Sequence, residues 1–321
     1  MTSSTPRTAT ALGLTAAVAF AGFAVSATAD DFPSRPIEYI IPFNPGGESD
    51  VTARMQEPHL EERFGVSVNV RHQPGGGGAV GWSEFQSNAE PDGHEIIGIN
   101  IPHIVGQPLQ REDAGYETDG FEIVTWFHFT PNTLIVPADS PFETVDDLVE
   151  FAAENPQSLT IGGSGTYSGN HLEVMRLEEV ADIELTYIPF TGTGPLPAAI
   201  LGGHVGALMT NSMLGVQMEG DIRTLAVASE ERVPALPDVP TFKELGYDIV
   251  GGTYRGIAVP TGTPQERIDK LAEAFSEINE IIGEEQVPLG FIMTNYTGDE
   301  AWRIVEQVRD NYADFLVGSE D

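Results

Sequence analysis

Two glycine-rich loops, each leading from an apolar run into a helical pattern, constrain this chain more than any other feature. The first is Asn44-Pro45-Gly46-Gly47-Glu48-Ser49-Asp50 and the second is Pro74-Gly75-Gly76-Gly77-Gly78-Ala79-Val80-Gly81. Consecutive glycines leave backbone N–H groups bare of side chains, and a following helix adds the positive end of its dipole, so an anion can rest on the main chain. Two such loops brought together would grip a small, negatively charged ligand.

The text between and after the loops alternates strand and helix. A strand over 37–43 precedes a helix over 50–64, with Asp50 as its N-cap and Pro58 as a kink. A strand over 66–70, a helix over 80–88, the turn Pro91-Asp92-Gly93 and a strand over 95–99 follow. This βαβαβ order predicts a mainly parallel sheet with loops gathered at the carboxyl ends of its strands. A second set begins near Thr133: a strand over 134–136, a helix over 145–154 capped by Thr144, a strand over 159–162 and a helix over 170–180. Strands over 185–188 and 205–209 flank a helix ending at Leu201, and the second strand runs into Asn211-Ser212. After 223–228 and a Pro-rich stretch to Pro240, a strand over 256–259 leads into long helices over 264–282 and 299–316.

Composition bounds the setting. Residues 1–29 read as a signal peptide: Arg7 in the n-region, an apolar stretch from Ala11 to Val25, and Ala27-Thr28-Ala29 as the cleavage site, so that the mature protein starts at Asp30. There is no cysteine in the chain, which excludes disulfides, thiolate chemistry and a lipid on cysteine. Formal net charge is −34, from 49 acidic and 15 basic residues, and Lys243 and Lys270 are the lysines. An acidic coat this strong predicts a protein kept soluble in a salty external medium. Nucleic acid binding is disfavoured, because no basic patch is present to release counterions.

Taken in order, these motifs resemble the substrate-binding receptors of the tripartite tricarboxylate transporter family, also called Bug proteins. The resemblance covers the mature chain and rests on several pieces. Arg35-Pro36-Ile37, Pro42-Phe43, Pro45-Gly46-Gly47 with Asp50 and Ala53-Arg54, the run from Pro74 to Gly81, and Pro91-Asp92-Gly93 come first. Thr191-Gly192 with Pro195 and Ala198, Leu201-Gly202-Gly203, and Leu236-Pro237-Asp238-Val239-Pro240-Thr241 with Glu244 and Gly246 continue it. Arg255-Gly256-Ile257-Ala258-Val259-Pro260 and Gly262-Thr263-Pro264 complete it. The resemblance implies an α/β, two-lobed periplasmic-binding-protein fold of type II, with two mixed sheets flanked by helices. Lobe 1 is expected over 30–130 plus 254–321 and lobe 2 over 131–253, with hinges near Pro131 and Thr253.

It also implies a function: an exported, monomeric solute-binding protein of the periplasm that takes a small organic carboxylate between its lobes and hands it to the transporter's membrane permease. By resemblance Gly46, Gly47, Ser49, Gly77 and Gly78 face the ligand from one lobe, and Ser164, Thr166, Ser168, Thr191, Gly192 and Asn211 from the other. Arg255, just before the strand that returns to lobe 1, joins them, and Arg71 is a second cation to watch. Family members commonly carry an acid and Asn where this chain has Arg71-His72, and Asp where it has Asn211. Both departures remove negative charge or add positive charge, which favours a di- or tricarboxylate.

Enzymatic readings fare worse. Gly76-x-Gly78-x-x-Gly81 has the letters of a dinucleotide fingerprint, but the turn is long and the next strand ends at Asn100 where a ribose-binding acid is wanted. A serine-type hydrolase, the alternative function, would need G-x-S-x-G, which Gly162-Gly163-Ser164-Gly165-Thr166 breaks at its last position. Seven histidines show no paired metal spacing, so neither a metal nor a cofactor is expected.

Overall fold

The computed structural model describes residues 1–2, 32–111 and 113–318, and the proposed signal peptide falls almost wholly outside them. From Pro33 onward the chain forms one compact unit. Its first part runs β1 (Ile37–Ile41), α1 (Glu48–Phe64), β2 (Val68–His72), α2 (Ala79–Asn88), β3 (Glu95–Ile101) and α3 (His103–Gln110). Strand β4 (Phe121–Pro137) is followed by α4 (Val145–Glu154), β5 (Thr160–Gly163), α5 (Gly169–Ala181), β6 (Thr186–Pro189) and α6 (Leu196–Leu201). Then come β7 (Ala207–Asn211), α7 (Ser212–Gln217), β8 (Ile222–Val227), β9 (Gly252–Pro260), α8 (Gln265–Gln286), β10 (Ile292–Tyr296) and α9 (Gly298–Gly318).

Strand order is β2-β1-β3-β9-β4-β7-β5-β6, with β10 and β8 also on β4. The long strand β4 therefore belongs to both halves of a curled sheet. Its first part pairs antiparallel with β9, from Phe121 opposite Pro260 to Pro131 opposite Gly252. Its second part pairs antiparallel with β7 and β8. Around β1, β2 and β3, and around β5, β6 and β7, the pairing is parallel. Parallel strands with helical crossovers gather their following loops at one edge. Here two such edges face each other, and the result is the two-lobed architecture of periplasmic binding proteins.

Local chemistry sets the helices. In α4 the buried residues Val145, Leu148 and Ala152 share one face, and a capping box closes the start. Thr144 Oγ1 accepts from Asp147 N at 3.1 Å while Asp147 Oδ2 accepts from Thr144 N at 2.8 Å. Helix α1 starts two residues earlier than the sequence suggests: Gly47 is the N-cap, and Asp50, the expected cap, instead accepts from Gly46 N at 2.9 Å. Pro58 lies inside α1, which continues as one helix to Gly65, whose left-handed φ of 69° ends it. Large buried rings fix the first half, each with its polar atom satisfied. Trp82 Nε1 donates to Gly98 O at 2.9 Å, Trp126 Nε1 to Ala301 O at 3.1 Å, and Tyr39 Oη to Gln56 Oε1 at 3.0 Å. A second core, with Leu148, Ile161, Val174, Met209 and Phe242 among its members, holds the other half.

Candidate functional site

Where the two loop edges meet, a cavity of about 10 Å³ is lined by Phe43, Gly47, Glu48, Ser49, Asn100, His103 and Arg255 from one half and by Ser164, Gly192 and Thr193 from the other. That is room for about one water molecule. The lobes stand nearly shut around it, joined by hydrogen bonds across the cleft. Asn44 donates from N to Thr191 O at 3.2 Å and from Nδ2 to Thr191 Oγ1 at 2.7 Å. Glu48 N donates to Thr193 Oγ1 at 3.2 Å, and Gln107 Nε2, which also bonds Gly77 O of its own lobe at 3.0 Å, donates across to Thr166 O at 3.4 Å.

The floor of the cavity is an ion pair. Arg255 Nη2 lies 2.6 Å from Glu48 Oε2, with both side chains almost fully buried. Arg255 Nη1 donates to Thr130 Oγ1 at 2.6 Å. Burial raises the Glu48 carboxyl above its ordinary value, opposed by Arg255 and Thr130, and burial lowers Arg255, opposed by Glu48. Two buried histidines flank the pair. Burial, and then the charge of Arg255, push His103 down to about 3 and hold His128 well below its usual range, so both are neutral at physiological pH. His128 Nε2 lies 3.7 Å from Glu48 Oε1, too far for a hydrogen bond. Among the described residues Arg255 Nε, His103 Nδ1 and both ring nitrogens of His128 have no hydrogen-bond partner. Buried polar atoms are nearly always paired, so this concentration at one cavity marks a place built for something other than stability.

The expected site residues divide. Gly47, Ser49, Ser164, Gly192 and Arg255 line the cavity. The other glycines serve closure and folding. Gly77 packs on the opposite lobe, and a Cβ at Gly165 would come within 2.7 Å of Gly77 Cα. A Cβ at Gly78 would strike the ring of Trp82 at 2.5 Å, and Gly46 is exposed with φ of 78°. Ser168 caps α5, accepting from His171 N at 3.3 Å, and Asn211 caps α7, accepting from Leu214 N at 3.0 Å. Thr166 and Thr191 supply the cross-cleft bonds already given. Arg71 is placed away from the cavity: half-exposed, it faces Glu38 at 3.5 Å and Glu95 at 3.2 Å. Arg255, by contrast, is held in the cleft wall by burial against Glu48.

Sequence reasoning missed Phe43, Glu48, Asn100, His103 and Thr193 as lining residues. Thr193 and Glu48 stood inside loops already singled out, one between two glycines and one directly after Gly46-Gly47. Among the described residues no cluster of His, Asp and Glu is arranged to hold a metal ion, and no helix is long and apolar enough to cross a membrane.

A cleft between two α/β lobes, lined by both and bridged by their loops, defines a solute-binding protein. The profile of the tripartite tricarboxylate transporter family receptor matches residues 52–282, and the chain belongs to that family. Its members are substrate-binding proteins and not enzymes, periplasmic, and work with a transporter. The chain is 33% identical over 265 residues to the UPF0065 protein in the tcbD-tcbE intergenic region of Pseudomonas sp. (strain P51), covering 80% of this chain and 77% of that protein. It is 30% identical over 267 residues to protein BugT of Bordetella pertussis, covering 81% of each. The solved periplasmic binding protein BugD matches with a TM-score of 0.84 at 28% identity, covering 90% of this chain and 99% of BugD. R. palustris Rpa4515, solved with adipate, matches with a TM-score of 0.81 at 26% identity, covering 88% and 97%.

Proposed function

We propose that this chain is an exported receptor, cleaved after Ala29 and monomeric, that captures a small di- or tricarboxylate in the cleft and delivers it to the permease of a tripartite tricarboxylate transporter. The observation that carries this reading is Arg255: it lines the cavity, and its Nε is buried without a hydrogen-bond partner among the described residues. Glu48 balances its charge, so the cleft is close to neutral and meets an anion mainly with dipoles. Ser49 and the start of α1 supply them on one side, and Ser164 and Thr193 on the other. One carboxylate can then rest on each lobe. Neutral donors and a helix start bind charge yet release it, which suits a carrier. The adipate held by Rpa4515 supports a ligand with two carboxylates.

We take the lobes as 30–130 with 254–321 and as 131–253. The adjoining pair Pro131 and Gly252, on β4 and β9, supports a hinge of two neighbouring strands. Thermal shift of the mature protein against a panel of organic acids, followed by calorimetry, tests the reading. A ligand at about 100 times its Kd adds about 2.7 kcal/mol. A dicarboxylate such as adipate is expected to bind more tightly than a monocarboxylate of the same chain length. Equal or better affinity for the monoacid or for a neutral sugar overturns the assignment.

A further inference from the structure

Side chains alternate across a strand, so the residues next to the cleft residues face the other side of the sheet. Asn100 and Arg255 line the cleft, whereas Ile101, Phe129 and Tyr254 line a second cavity of about 230 Å³ together with Leu172, Val250 and Val308. Into this apolar space comes one acid. Glu173, on α5, is 3% exposed, and its carboxylate lies over the hinge: a Cβ at Gly251 would come within 2.1 Å of Glu173 Oε1. Oε1 accepts from Arg176 Nη1 at 3.1 Å, and the same Nη1 donates to Val250 O at 3.1 Å. Oε2 is buried with no hydrogen-bond partner among the described residues.

We propose that this hinge-side cavity is a second small-molecule site, for a short-chain primary ammonium whose charged end meets Glu173 Oε2 and whose alkyl part lies along the apolar walls. The volume is below the roughly 300–1,000 Å³ of clefts for larger ligands and suits a molecule of a few heavy atoms. Phe129 and Tyr254, with ring centroids 4.7 Å apart, present aromatic surface to a cation. A net charge of −34 concentrates cations and repels anions, which argues against a second carboxylate.

Burial, opposed by Arg176, pushes the Glu173 carboxyl up to about 7. Around the cavity, among the described residues, Arg176 is the other charged group and stands on the same helix. From β9 comes Tyr254, whose phenol is raised by burial and by Tyr296, while β4 gives Phe129, α9 gives Val308 and Asn311, and the turn into α3 gives Pro102. The ionised carboxylate is the binding form, so affinity for an ammonium rises as pH rises through about 7.

The test titrates the mature protein with n-butylammonium chloride, and with n-butanol as the neutral match, in strong salt to suppress surface binding. Wild type is expected to bind butylammonium saturably, more tightly above the Glu173 midpoint than below it. Glu173→Gln removes the charge-assisted bond and should weaken binding about tenfold or more. Val308→Phe, which fills the cavity from α9 and leaves the Glu173 carboxylate unaltered, should abolish it and keeps the proposal testable if Glu173→Gln fails to fold. No saturable binding to wild type, binding unchanged in either folded variant, or butanol binding as well as butylammonium each overturns the proposal.

Discussion

A guanidinium and a carboxylate 2.6 Å apart in the cleft wall keep each other charged where either alone would be costly. Removing one partner of such a buried pair costs about 3–5 kcal/mol, because the other charge is left uncompensated. Arg255→Met is therefore expected to lower unfolding stability by about that amount in a denaturant titration. The double change Glu48→Gln with Arg255→Met should regain most of it, and calorimetry should still find carboxylate binding lost. A double variant that binds like wild type would take Arg255 out of the site. Arg255 was legible because it adjoins the apolar run 256–259, read as a strand returning to the first lobe; the strand begins earlier, at Gly252, and carries Arg255 within it. Glu48 was not: an acid in the first turn of a helix reads as a partner for the dipole, and nothing in the text shows that an arginine 207 positions away faces it. Arg71 misled for the converse reason, since its acidic partners Glu38 and Glu95 lie on neighbouring strands.

Between elements, the glycine loops act as mating surfaces of the two lobes. Gly194 shows this most clearly, since a Cβ there would meet Pro45 O across the cleft at 2.4 Å. Its φ lies outside the left-handed region, so alanine fits the local backbone and the clash arises only when the lobes meet. Gly194→Ala is expected to leave the melting temperature of the ligand-free protein within about 2 °C, a surface-scale effect, while weakening ligand binding about tenfold or more through faster release. Unchanged affinity would show that the cleft binds without closing this contact. The helices of the second lobe were legible in the text because capping and periodicity agree, as at Thr144 and Val145, Leu148 and Ala152. Strand β4 was read only over 134–136, a fraction of Phe121–Pro137, since most of it is buried on both faces and shows no alternation. Helix α3 was hidden by its internal Pro108, and β10 is a short strand held by β4 and by Asn279 of α8, so long-range pairing rather than local pattern defines it.

At the scale of the whole molecule, 49 acidic residues face 15 basic ones, and pairing cannot neutralise the excess. The ion pairs that do form are mostly exposed, as between Arg35 and Asp92 or Arg232 and Glu244, and each such pair contributes about 0–1 kcal/mol. Self-repulsion among the unpaired acids is long-ranged in dilute salt, where the Debye length is about 30 Å, and short-ranged at about 1 M, where it is about 3 Å. The folded state concentrates these charges and the unfolded chain spreads them, so the repulsion opposes folding and screening relieves it. The melting temperature of the mature protein is expected to rise steadily with sodium chloride across that range. Chloride is the salt to use, because sulfate strengthens apolar burial in any protein and would mimic the effect. Acids outnumber basic residues in both halves of the chain, so the repulsion also opposes the approach of one lobe to the other. Ligand affinity should therefore strengthen as sodium chloride is added at low ionic strength, against the ordinary trend for an anion meeting an arginine. A melting temperature that is flat or falls with salt would show that the acidic coat does not oppose the fold.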